Sequence, residues 1–346
     1  MKISTFKLYL CVLAALTVFI SCEEDDPIIN DFVEEDRTEQ QEKDNDSILD
    51  YLSSHYYNSS FFETGTDHKY TDIIISELPE GEDVPDGSTL LIDAVETHTT
   101  EFLEADYEYY ILRINQGGGE APKFTDLVRV RYEGSSVEDG DVFDSRITPL
   151  DLALVGNGIN TFGTIRAWQL VMPSFNASTG FSLDNGVVNY NNFGLGVMFV
   201  PSGLAYFSGI TTGSSYDNLI FKFEMLQYET VDDDGDGIPS YVEDLDANLS
   251  VFDDDSDEDE APNFIDLDDD GDEVSTFNEL EQTIYIVDTN MGESEPILDA
   301  NEYEFSRITN AGIITITTVK ALDTNSNGIL DYLDEDITIN YNETSS

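Results

Sequence analysis

The clearest periodicity in the chain begins near Tyr107. Val128, Val130 and Tyr132 alternate with Arg129 and Arg131, a period of two that gives a strand one dry and one wet face. Tyr109 to Leu112 predicts a strand before it, closed by Gly117, Gly118 and Gly119, while Gly134 and the pair Asp139-Gly140 predict turns after it. Val197 to Val200 and Leu219 to Leu226 predict the last strands. Ile165 to Val171 predicts one short helix, which carries the chain's single tryptophan, Trp168, and ends at Pro173. Strands gathered about one short helix predict an α+β fold rather than a parallel sheet. Upstream, Ile48, Leu49 and Leu52 share a side and predict a short amphipathic helix over Ser47 to His55. Residues 56–105 alternate apolar patches with turn residues, and residues 23–46 are polar and glycine-free, which predicts a solvated tether.

The first residues follow another pattern. Lys2 and Lys7 flank the start of an apolar run, Leu8 to Ile20, too short for a stable membrane-spanning helix and fitting a signal-peptide core. Ser21 and Cys22 follow, then Glu23, Glu24, Asp25 and Asp26. This resembles a bacterial lipoprotein signal, which implies that Cys22 becomes a lipid-bearing N-terminus holding the protein to the lipid membrane at the bacterial outer membrane. The acidic run resembles a surface-export tag. Cys11 and Cys22 are the only cysteines, so a mature chain starting at Cys22 has no disulfide framework, zinc site or cysteine nucleophile.

Charge narrows the partners. There are 73 Asp and Glu against 14 Lys and Arg, a formal net charge of −59, which repels nucleic acid and attracts cations. No Lys or Arg lies between Lys222 and Arg307, so the negative charge is concentrated in the C-terminal part. There the acids are ordered. Asp232, Asp234 and Asp236 stand at loop positions one, three and five, Gly237 at six, the carbonyl of Ile238 at seven and Glu243 at twelve, the arrangement of an EF-hand loop. Asp323, Asn325, Asn327, Gly328, Asp331 and Asp334 repeat it with a shorter last ligand. Two further loops run through Asp255, Asp257, Asp259 and Asp266, and through Asp268, Asp270, Asp272 and Glu279. Their sixth positions are Glu260 and Glu273, which predicts about 1 kcal/mol of backbone strain or a different wrap. Interleaved apolar residues (Ile238, Tyr241, Val242, Phe264, Ile265, Ile329, Tyr332 and Leu333) recur at matching positions, as a merely solvating tail has no use for them. The loop spacing resembles thrombospondin type 3 repeats, which wrap calcium with little regular structure. Residues 283–322 predict a small β element between the third and fourth of these loops.

The middle of the chain also carries a resemblance. Val128 to Gly134, then Asp139-Gly140-Asp-Val-Phe143-Asp144-Ser145, Ile165-Arg-Ala-Trp168, Pro201-Ser-Gly-Leu-Ala205-Tyr206 and Asn218-Leu-Ile-Phe221 are similar, in order and rough spacing, to the segments of FKBP-type peptidyl-prolyl cis-trans isomerases. The resemblance implies a curved antiparallel sheet wrapped on a short helix, with the active site between them. It implies an apolar cage of Tyr132, Phe143, Ile165, Trp168 and Phe221, with Trp168 as the floor for a substrate proline. Tyr206 becomes a hydrogen-bond donor to a substrate carbonyl, and Asp144 orients polar groups near the twisted amide. The chain departs from the family at Phe207, where the family has glycine, at Leu150, and in the loops 157–163, 176–192 and 208–216.

The organisation expected is therefore a signal peptide (1–21), an acidic tether (22–46), an N-terminal extension (47–106), an FKBP-type domain (107–228) and an acidic calcium-binding repeat region (229–346). The fold class is α+β, an FKBP-like sheet followed by an irregular calcium-stabilised region. The function implied is an isomerase assisting folding of proline-containing polypeptide clients at the envelope, needing no cofactor for catalysis and using Ca²⁺ structurally. A non-catalytic prolyl-binding or chaperone module and a surface adhesion lipoprotein with a calcium-stiffened tail stay open beside it.

Overall fold

The computed structural model describes residues 33–342; the signal segment 1–21, Cys22 and the acidic run after it lie outside the described residues. Asp36 caps the first helix, α1 (Arg37–Ser54), accepting from the backbone N of Thr38 and Glu39. The helix starts at Arg37, not at Ser47 as the apolar pattern predicts, so residues 37–46 are not tether. The reason is the make-up of its inner stripe. Gln40, Asp44, Ile48 and Leu52 recur every fourth residue and are all buried, but the first two are polar. The chain then turns extended at His55 into β1 (His55–Tyr57), which pairs with β2 (Ile75–Glu77) and β3 (Thr89–Leu90) in a small sheet.

The main sheet is antiparallel throughout. Its members are β4 (Glu96–Phe102), β5 (Ala105–Asn115), β6 (Leu127–Ser136), β7 (Val142–Ala153), β10 (Gly194–Val200) and β11 (Leu219–Glu229), in spatial order β4-β5-β10-β11-β6-β7. Between β7 and β10 lie helix α2 (Arg166–Val171) and a hairpin, β8 (Gly180–Asp184) with β9 (Val187–Asn191). The hairpin occupies the segment that reads from sequence as a long Asn-rich loop. Burial along β6 alternates strictly from Leu127 to Ser136, as its periodicity predicts.

Both faces of the sheet centre are covered. On one face, Tyr109 and Ile111 of β5, Met198 and Val200 of β10, and Phe221 and Phe223 of β11 pack with Trp168 and Val171 of α2. The residues between them, Tyr110, Leu112, Val197, Phe199 and Ile220, point the other way and pack with Ile48 and Leu52 of α1 and with Leu91. Residues 47–106 thus supply the cover of the second face and the edge strand β4. Every residue of β10 is buried, as expected of a strand dry on both sides.

The acidic half contains no α-helix among the described residues. Its sheet has the order β12-β14-β13, from β12 (Glu281–Asp288), β13 (Glu302–Asn310) and β14 (Ile313–Lys320). Ile238, Leu280, Val319 and Tyr332 form its core, and Phe264 packs in a second cluster with Val251 and Phe124. Ile329 instead is about half exposed, so not every recurring apolar position turns inward. Among the described residues no helix is long and apolar enough to cross a membrane.

Candidate functional site

The aromatic residues singled out in the sequence converge from four elements. Tyr132 stands on β6, Phe143 and Asp144 on β7, Trp168 on α2 and Phe221 on β11. The Trp168 ring lies edge-to-face on Tyr132 at 5.3 Å and on Phe221 at 5.4 Å between centroids; Phe143 meets Phe221 at 5.6 Å, and Tyr132 meets Phe221 at 6.2 Å. Ile165 precedes the first turn of α2 in extended conformation, and it and Phe143 are partly buried against the same core. The buried rings of Tyr132, Trp168 and Phe221 make a floor, and Phe143 and Ile165 stand higher on its wall. Gly134 is the position that lets the rings meet: a Cβ there would lie 2.7 Å from Phe221 and 2.8 Å from Phe143.

The polar rim is one connected group. The Tyr132 hydroxyl donates to Asp144 Oδ2 at 2.6 Å, and Arg146 pairs with Asp144 Oδ1. Burial, then the hydrogen bond to Asp144, raises the Tyr132 hydroxyl well above its usual range, so it stays a donor. Tyr206 is raised by burial and by the charge of Asp144, yet its residue is 36% exposed, so its hydroxyl is kept protonated beside solvent. Arg146 and Phe223, 5.9 Å from Trp168, complete the surroundings. Neither carries a sequence signal of its own, although Phe223 follows the alternation of β11. A cavity of about 820 Å³ lies elsewhere, lined by Phe102, Val155, Arg166 and Leu249 among others, and none of the cage residues borders it.

The acidic half places its loops alike. The loops opening at Asp232, Asp255, Asp268 and Asp323 each turn left-handed at positions four and six, including Glu260 at φ +83° and Glu273 at φ +80°. The strain predicted there is present; the altered wrap is not. In each loop the backbone N of position six donates to the first aspartate, from Gly237, Glu260, Glu273 and Gly328. The N of position seven donates to the side chain at position five, from Ile238, Ala261, Val274 and Ile329. One oxygen from each of Asp232, Asp234 and Asp236 lies within 4.8 Å of the others, as does one from each of Asp255, Asp257 and Asp259 and of Asp268, Asp270 and Asp272. That spread suits one ion with oxygen ligands at roughly 2.3–2.6 Å. Asp266 is turned onto its own backbone, accepting from the N of Leu267 and Asp268. In the last loop, Asn325 and Asn327 each donate to Asp334 at 2.8 Å, while Asp331 accepts from Thr324 and keeps a second buried oxygen without a partner.

A fifth loop escaped the sequence reading. It opens at Asp244, continues through Asp246 and Asn248, and turns left-handed at Ala247 and Leu249. Leu249 N donates to Asp244, Asn248 N to Asp246 and Ser250 N to Asn248, as in the other four. Asp244, Asp246 and Asp254 supply oxygens within 4.8 Å of one another. Its signal was the aspartate-aspartate-asparagine alternation of Asp244, Asp246 and Asn248, with Leu249 at position six.

Buried carboxylates without hydrogen-bond partners mark where these loops gather. Asp236, Glu243, Asp269 and Glu279 are each 1% exposed. Both carboxylate oxygens of Glu243, Asp269 and Glu279 lack a partner. Among carboxylates alone, burial first and then repulsion push Glu243 up to about 11, Asp269 to about 10 and Glu279 to about 9. Hard cations with oxygen ligands are the chemistry that such a set fits.

A family model described as BamM C-terminal matches residues 233–311. No curated protein matches the chain by sequence. Among solved structures, it is similar to a peptidyl-prolyl cis-trans isomerase from Pseudomonas syringae pv. tomato, at 13% identity and a TM-score of 0.31, over 57% of this chain and 99% of that one. It is similar to FkpA from Escherichia coli at 18% identity and a TM-score of 0.31, over 66% of this chain and 84% of that one. The N-terminal domain of FKBP42 from Arabidopsis thaliana is similar at 14% identity and a TM-score of 0.29, over 39% and 94% of the two chains.

Proposed function

We propose that this protein is a peptidyl-prolyl cis-trans isomerase of the FKBP type, held by lipid at the bacterial outer membrane, with an acidic C-terminal half that folds around calcium. The observation that carries the catalytic reading is the cage: Trp168, Tyr132, Phe143 and Phe221 ring one apolar floor beside the hydrogen-bonded pair Tyr132–Asp144. Rotation about an X-Pro bond is opposed by amide resonance, a barrier of about 18–20 kcal/mol. No bond breaks, so neither a nucleophile nor a cofactor is required. The twisted amide has a less polar carbonyl than the planar one, and a dry aromatic floor favours it. A preference of about 6 kcal/mol gives roughly four to five orders of magnitude in rate. Tyr206, protonated and at the rim, donates to the carbonyl beside the proline, and Asp144 fixes the Tyr132 hydroxyl so that the wall does not compete for that contact.

The calcium reading is supported by the buried carboxylates above and by the shared wrap of the loops. The family match over residues 233–311 spans loops and strands β12 and β13 together, which favours a folded unit over a spacer. Anchoring rests on the signal around Cys22 alone.

The test is isomerisation of a proline-containing peptide by residues 33–342 in calcium. A shorter piece starting at 44 loses the first turns of α1 and the cap at Asp36. The rate rises well above buffer in the wild type. Tyr206→Phe, at a half-exposed site, folds normally and loses about three- to tenfold, the worth of one hydrogen bond of 0.5–1.5 kcal/mol. Peptide binding with no acceleration turns the reading to a prolyl-binding module.

A further inference from the structure

One buried carboxylate belongs to none of the expected ligand positions. Asp269 is the second residue of its loop, a position that does not face the ion in an EF-hand arrangement. In three of the other four loops, this position is tied to the ninth residue. The Ser240 hydroxyl donates to Asp233, Asn263 donates to Ser256, and Thr324 donates to Asp331. In the loop of Asp268, the ninth residue is Thr276, and its hydroxyl accepts from the Asp269 backbone as Ser240 does from that of Asp233, but both carboxylate oxygens of Asp269 are without a hydrogen-bond partner. The carboxylate is left free to leave its own loop.

It goes to another. One oxygen of Asp269 lies within 4.8 Å of one each from Asp236 and Glu243, which belong to the loop opened by Asp232. All three residues are 1% exposed. Both oxygens of Asp269, both of Glu243 and Oδ2 of Asp236 lack a hydrogen-bond partner. Three negative groups driven together out of water, with a donor only for one oxygen of Asp236, need a cation to offset the cost. The ninth residue of the Asp232 loop, from which such loops reach the ion through water, is Ser240, and its hydroxyl is committed to Asp233. An oxygen from outside the loop is the remaining way to fill that side.

We propose that Asp269 is a calcium ligand donated across loops, completing with Asp236 and Glu243 a buried inter-loop clamp that ties the first loop of the acidic half to the loop of Asp268. The clamp rests on the calcium reading above and adds to it a specific topology: the ion holds together residues far apart in sequence, so the acidic half closes on itself rather than extending as a string of independent loops. Tyr332, also 1% exposed, lies against the same carboxylates and closes the apolar side.

The experiment compares the whole chain with Asp269→Asn, using Glu82→Gln, at an exposed residue outside the acidic loops, as a control for loss of one negative charge. Calcium binding is followed by calorimetry, and melting temperature is read in excess calcium and in excess chelator. The wild type binds calcium and melts higher with it. Asp269→Asn weakens the tightest binding step by about tenfold or more, since affinity follows ligand charge. Its gain in melting temperature from calcium shrinks, while in chelator it melts no lower than the wild type, because a buried unpartnered carboxylate has gone. Glu82→Gln leaves the tightest step alone. Wild-type affinity in Asp269→Asn, or a melting point lowered equally in calcium and chelator, overturns the clamp while leaving the calcium reading intact. A wild type that ignores calcium overturns both. Asp269→Ser, smaller than the native side chain, carries the same comparison where the asparagine variant does not fold.

Discussion

Left-handed backbone at non-glycine residues recurs where the chain wraps its acidic loops and in the segment that follows Tyr206. Phe207 sits at φ +47°, in the position where the resembled family has glycine. Its ring is buried, stacks edge-on with Tyr216 at 5.0 Å and lies under the Arg37 guanidinium at 4.1 Å, so packing offsets the strain. Glu260 has no such compensation. It is exposed at φ +83°, and its backbone N serves the loop by donating to Asp255. Glu260→Gly keeps that donor and removes about 1 kcal/mol of strain. The loop of Asp255 then binds calcium about fivefold more tightly, as a calcium titration of the whole chain should read. Unchanged or weaker binding means that the loop's energy lies in its ligands and not in its turn. The equivalent change at Gly237 is already present in nature's choice, which is why the loop of Asp232 was the most legible in the sequence.

At the scale of elements, α1 supplies both cover and anchorage. Asp44 reaches from its inner stripe to the segment carrying Tyr206, accepting from Ser202 N at 2.9 Å and Ser202 Oγ at 2.6 Å, as well as from Gln40 at 2.6 Å. Burial nonetheless raises its pKa above the ordinary 3.8, against those hydrogen bonds and the charge of Lys43. The native state therefore holds this proton more tightly than the unfolded chain does, and this contribution to stability is full below the unfolded value and lost as pH rises through the folded one. Asp44→Asn does not titrate. Its denaturation midpoint should gain on that of the wild type as pH rises above the ordinary carboxylate range, whatever constant offset the amide introduces, because all other carboxylates cancel in the comparison. Parallel curves would mean that the hydrogen bonds, not burial, govern Asp44. This residue also shows why part of the fold was hidden. β6 could be read because its wet face is arginine and its dry face valine and tyrosine. The first half of α1 could not, because Gln40 and Asp44 continue an inward stripe in polar residues that look solvated. Strand β10, buried on both faces, gave a continuous apolar run from which only its second half was recognised.

At the scale of the whole molecule, the acidic half and the sheet share a core. Val251 and Phe264 from the loops pack with Phe124, and Val155 and Tyr241 lean on them. A polar contact rivets the seam. Arg166, the first residue of α2, donates through Nη1 to the carbonyl of Leu249 at 2.6 Å, and the Leu249 N in turn donates to Asp244. Burial lowers Arg166, and the charge of Asp244 opposes that fall. An ion at Asp244 would fix Leu249, the residue whose carbonyl Arg166 holds, and Arg166 stands two residues before Trp168 on the same short helix. Trp168 is the single tryptophan, so its emission reports on the cage alone. Adding calcium to the chelated chain should therefore change tryptophan emission, though no carboxylate loop contains a tryptophan. A hydrogen bond to a charged donor contributes about 1.5–3 kcal/mol, so Arg166→Gln should raise the calcium needed at this loop by about tenfold and mute the emission change. Calorimetry on the same variant should still show the remaining loops filling. An emission change in Arg166→Gln equal to that of the wild type, at the same calcium concentration, would show that the two halves touch without communicating.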